Sequence, residues 1–160
     1  MTLDETLLQK LAEWRPSPGA RRDLTVADSD SGWSASLSAD RSDELGCLAW
    51  EFTVRPSAVP AKLELSAWAD RIAAQVKGLL EPLAVHEVDT SRGEALLRSH
   101  PPAQRGENVL YYEFLLQGSG AVTVRRFQAD SKAHAKRQQV AFALTHEALA
   151  KLAHDLIASL

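Results

Sequence analysis

At 160 residues, 45% of them apolar and 24% charged, the chain has the size and composition of one folded domain, which would bury roughly 70% of the surface of its unfolded form. That composition excludes the low hydrophobicity and large net charge of disordered chains, and a net charge of -3 argues against a nucleic-acid partner, whose backbone calls for a strongly basic surface. Cys47 is the single cysteine, so neither an internal disulfide nor a metal site of several thiolates can form.

The chain opens with Thr2, Asp4 and Glu5, a capping-box pattern in which a threonine hydroxyl accepts from the amide three residues on and a glutamate reaches back. Acidic residues stand where a secretory signal would carry bases, and no apolar run approaches the roughly 18 residues of a membrane span. The expected setting is therefore the cytoplasm, with no membrane association. Leu3, Leu7, Leu11 and Trp14 draw one helical stripe, and Pro16 and Pro18 end it, predicting a helix over about 3–14.

Alternation then replaces helical spacing. Residues 24–28 and the run Trp33, Ala35, Leu37, interleaved with serines, predict a hairpin across a polar turn. Along 47–54, the period of two puts Leu48, Trp50, Phe52 and Val54 on a core face and Cys47, Ala49, Glu51 and Thr53 on the other. Pro56 and Pro60 mark a connection. Leu65, Trp68, Ile72, Val76 and Leu79 then predict a central helix over about 65–80, closed by Pro82.

Two short strands follow at 84–88 and 94–98, then a polar loop at 100–106. Three more strands, 109–117, 121–127 and 138–144, form consecutive hairpins, with Gly118-Ser119-Gly120 making one tight turn. Thr145 is a good N-cap for a last helix over about 146–159, carried by Leu149, Leu152 and Leu156. The whole predicts a single α+β domain, an antiparallel sheet of about seven or eight strands packed by two or three helices. Its order of elements is similar in layout to small secretion chaperones, a likeness that carries no motif and assigns no family.

No phosphate loop, nucleophile elbow or zincin pattern occurs, so no catalytic residue, metal or cofactor is expected. The histidines do not help: His146 and His154 lie eight residues apart on one helix, roughly 12 Å along its axis. The basic concentration Arg125, Arg126, Lys132, Lys136 and Arg137, around Phe127, marks one end of a hairpin. Such a patch steers an anionic partner, although bases on strand edges also guard against sheet-to-sheet aggregation. Trp33 beside a hairpin tip is a candidate binding anchor.

Strand 109–117 is apolar on both faces, with Val109, Tyr111 and Leu115 on one and Leu110, Tyr112, Phe114 and Leu116 on the other. Both faces then need cover, from the first helix or, more simply, from a second copy. The expectation is a homodimeric, non-enzymatic module that binds a protein or peptide. The alternative is a small-molecule pocket or modest enzyme between the central helix and the sheet, with His86, Glu87, Arg92 and Glu94 at its mouth.

Overall fold

The computed structural model describes residues 1–79, 81–130 and 136–160. Among these, three helices, α1 (Leu3–Glu13), α2 (Leu65–Gln75) and α3 (His146–Ala158), accompany ten strands. The strands are β1 (Arg22–Asp28), β2 (Trp33–Ser42), β3 (Gly46–Pro56), β4 (Leu83–Asp89), β5 (Glu94–Ser99), β6 (Ala103–Arg105), β7 (Asn108–Gln117), β8 (Val122–Asp130), β9 (Gln138–Val140) and β10 (Phe142–Thr145). The fold is α+β with one large antiparallel sheet, in the order β1-β2-β3-β8-β7-β5-β4.

The middle of that sheet is split. β3 and β8 pair only through Phe52–Val54 and Val122–Val124. Beyond this short seam they diverge, and the chain 138–145 fills the gap: β9 pairs with β8 and β10 with β3. Thus the run expected as one strand at 138–144 is two, broken at Ala141, because each half follows a different neighbour.

Local chemistry starts each helix. Thr2 and Glu5 close the capping box reciprocally, at 2.8 and 3.4 Å; Glu64 accepts from the amides of Ser66 and Ala67 to cap α2; Thr145 caps α3 through the amide of Ala148. α2 ends at Gln75, short of the expected 80, where Val76 turns extended. Val76 stays buried and Leu79 packs on the core from beyond the helix end, which explains why their spacing imitated further helix.

All three helices lie on one face. α1 packs on α3 and on β1 and β2, α3 on β3, and α2 on β4 and β5, so Leu7, Leu11, Phe52, Trp68, Ile72, Phe114 and Leu156 belong to one hydrophobic cluster. α1 therefore covers the β1 edge from the helical side and does not wrap to the second face. Two polar ties fasten this layer: the indole N–H of Trp68 donates to Ser159 Oγ at 2.9 Å, and Arg71 Nε donates to the Ser159 carbonyl at 2.7 Å.

The face assignment of β3 needs correction. A bulge displaces the register between Glu51 and Ala49, and a bulge reverses alternation beyond it. Phe52 and Val54 stay in the core, but there it is Cys47 and Ala49 that join them in full burial, while Leu48 and Trp50 are only half-buried. The expected loop at 100–106 also holds a strand, β6, hairpinned onto β7.

Candidate functional site: the open face of the sheet

Because the helices share one side, the other side of the sheet carries no helix or second sheet among the described residues. Alternation along β7 and β8 sends Tyr111, Glu113, Leu115, Thr123, Arg125 and Phe127 to it. β5 adds Leu96 and Arg98, which stand opposite Leu115 and Glu113. Apolar side chains on this face call for shielding, and arginines from the chain itself supply it.

Glu113 organises the arrangement. It is 5% exposed, and a carboxylate so deep requires charged donors. Arg98 Nε donates to its Oε2 at 3.0 Å. Arg137 approaches from the opposite flank, its Nη1 also donating to Oε2 and its Nη2 to Oε1 at 3.4 Å. Each arginine also lies over an aromatic ring: Arg98 5.2 Å from the centre of Tyr111 and Arg137 3.8 Å from that of Phe127. The two rings stack, 5.9 Å apart, and Arg137 reaches the Tyr111 hydroxyl at 3.4 Å. Burial works against the charge of Arg137, but Glu113 and the Tyr111 hydroxyl together outweigh it, and the net effect raises its pKa.

The pattern recurs outward. Arg125 pairs with Glu51 across the β3–β8 seam at 2.8 Å; Arg21, held by Asp40 at 2.9 Å, covers Trp50 at 3.8 Å. A chain of this length is expected to hold about two cation–π contacts, and three on one face, beside a fourth elsewhere among the described residues, mark arginine as the cover of the open side. Toward β1 the face becomes hydroxylic, with Thr25 and Ser36 in contact at 3.3 Å and Thr53 bonded to Thr123 at 3.1 Å.

The expected binding residues separate on this frame. Arg125 and Arg137 are on the open face. Arg126, next in a strand, must point the other way; it runs beneath the helical layer, over Tyr112 at 4.3 Å, paired with Glu81 at 2.8 Å. Lys136 is exposed, and Lys132 lies outside the described residues. Trp33 is half-buried against the core, opposite Asp28 and Pro56, which leaves it little of the protruding character of an anchor.

The alternative pocket residues are also dispersed. Trp68 and Ile72 on α2 and Leu97 and Phe114 beneath them are fully buried, so the space between the central helix and the sheet is filled by side chains. Glu87, Arg92 and Glu94 border a cleft of about 70 Å³ at the β4–β5 turn, where Arg92 and Glu94 are 3.9 Å apart. His86 lines a different groove, on the open side. No group of three or more metal-binding side chains occurs among the described residues, nor is any helix there long and apolar enough to cross a membrane.

Sequence reasoning missed Glu113, Tyr111, Arg98 and Phe127 as a unit. The available signal was one acid inside an otherwise apolar strand: a glutamate at the centre of 109–116 has to meet cations from neighbouring strands. Comparison of the chain with protein-family models, curated proteins and solved structures finds no match.

Proposed function

We propose that the chain is a non-enzymatic binding module whose open sheet face holds an acidic peptide or protein segment. The observation that carries this is the convergence of Arg98 and Arg137 on the single carboxylate of Glu113 while both lie on aromatic rings. Two guanidinium groups face one carboxylate, leaving N–H donors and one positive charge in excess. Arginine does not exchange protons near neutral pH, so a face built from guanidinium, aromatic and hydroxyl groups is suited to recognition rather than acid–base chemistry. On a protein of net charge -3, a local positive face also orients an anionic partner during approach.

The homodimer suggested by the two-sided strand loses its original motive, since arginines shield the second face within one chain; a second copy becomes the competing occupant. The cytoplasmic setting belongs to the same proposal. The test is fluorescence anisotropy with labelled peptides rich in Glu and Asp around one aromatic residue, with light scattering alongside. Saturable binding that weakens at least about tenfold in Arg137→Glu and falls with salt supports the reading. Undiminished binding by Arg137→Glu, or a dimer that occupies Tyr111 and Phe127, overturns it.

A further inference from the structure

Beside the arginine network the open face is hollow. β5 ends at Ser99 and the chain steps across Pro102 into β6. β4 pairs with β5 alone, with its register broken between Val85 and Glu87, so no ladder joins β4 to β6. A groove of about 450 Å³ results, within the roughly 300–1,000 Å³ range of ligand clefts.

The chemistry of its walls is mixed in a specific way. Val85, Pro102 and Val109 supply apolar surface, and Arg98, His86 and His100 supply nitrogen donors; Val85 is 37% exposed, so that surface is uncovered. Arg98 is pre-positioned. Its Nε is taken by Glu113 at 3.0 Å and its guanidinium is steadied by Tyr111, but its terminal nitrogens carry no hydrogen bond among the described residues, leaving a fork of the shape that receives a carboxylate. Arg137, Glu113 and Phe127 do not border this groove; it adjoins the face assigned to the acidic segment and shares Arg98 and Tyr111 with it.

We propose that the groove is a binding site for a small organic anion, one carboxylate on a flat apolar body. The carboxylate meets Arg98, with His86 and His100 as further donors, and the body lies against Val85, Pro102 and the Tyr111 ring. Apolar surface supplies affinity, and the few polar groups fix orientation.

The test uses 2-naphthoate as probe and the neutral, near-isosteric 2-naphthamide as control, read by backbone-amide NMR on the full chain. Naphthoate is expected to saturate with shifts confined to residues 84–86, 98–100 and 109–111, and naphthamide to bind at least about tenfold more weakly, the loss of a charge-assisted hydrogen bond. Val85→Trp, which fills the groove from an exposed position, should weaken naphthoate by about tenfold or more, as should Arg98→Gln with its fold verified in the same spectra. Val85→Trp should leave binding of the acidic peptide intact, which separates this site from the peptide reading. Equal affinity for the amide, unchanged naphthoate binding by Val85→Trp, shifts elsewhere, or no saturation by about 10 mM would overturn the assignment.

Discussion

Glu113→Gln removes the charge on which the open face is organised, and its cost follows from unequal exposure. The Glu113 side chain is 6% exposed, whereas Arg98 and Arg137 are 30% and 38% exposed. Breaking a fully buried pair costs about 3–5 kcal/mol, but both guanidiniums can rehydrate here. The glutamine keeps one acceptor while turning an NH2 toward a cation, so a loss of about 2–3 kcal/mol is expected. For a domain of this size that lowers Tm by roughly 5–10 °C. Glu51→Gln is the internal comparison: its pair with Arg125 is about equally open on both sides, 35% and 32%, and should contribute under about 1 kcal/mol. Equilibrium urea unfolding with unchanged m-values measures both. Similar costs for the two substitutions, or a Glu113→Gln cost below about 0.5 kcal/mol, would refute the view that Glu113 is the electrostatic keystone of this face.

Ser159→Ala orphans the buried indole N–H of Trp68 and should cost about 1–3 kcal/mol in urea; with Trp68→Phe already present, the same substitution should become nearly neutral. Gly120 has a φ of +92°, and a Cβ there would fall 2.7 Å from Pro56 Cγ and 3.0 Å from Pro60 Cγ, so Gly120→Ala should cost about 2–4 kcal/mol. Gly19→Ala, at similar φ but in open space, should cost only about 1 kcal/mol in the same assay. The His146 ring is held below the ordinary histidine pKa, first by burial and then by the positive charge of Arg15. The unfolded chain therefore binds a proton that the folded one refuses. This contribution is intact above the ordinary value, about 6.5, and is lost as pH falls toward the folded value. Urea midpoints taken from about pH 8 down to 5 should decline less in His146→Gln than in the parent; parallel curves would remove His146 from the account.

Much of the fold was legible where local chemistry and periodicity agreed. The Thr2–Glu5 box and the Leu3, Leu7, Leu11 stripe locate α1, and Thr145 with Leu149, Leu152 and Leu156 locates α3. Misreadings arose where a distant strand overrode the local pattern. Nothing near Trp50 announces the bulge that turns it to the open side, because the bulge is set by pairing with β2. Likewise, the break at Ala141 exists only because β3 and β8 diverge.

The candidate site was less legible for a related reason. Clustering of Arg125 and Arg126 in sequence hid the fact that neighbours on a strand part company, whereas Arg98, Glu113 and Arg137 lie on three separate strands or their flanks and meet through register alone. The two-sided apolarity of 109–117 is legible in the sequence as a face that calls for shielding. What composition did not disclose was that arginine guanidinium groups laid over Trp50, Tyr111 and Phe127 could provide it.

The wedge of 138–145 also has a kinetic consequence. Cys47 must wait for Leu144, and Phe52 for Val124, so the centre of the sheet closes over very long stretches of chain. High contact order slows folding, and until the wedge arrives the diverging ends of β3 and β8 present raw strand edges open to pairing with other molecules. Refolding should accordingly be slow and sensitive to protein concentration, and a peptide covering 138–160 supplied in trans should suppress aggregation of a chain that lacks it.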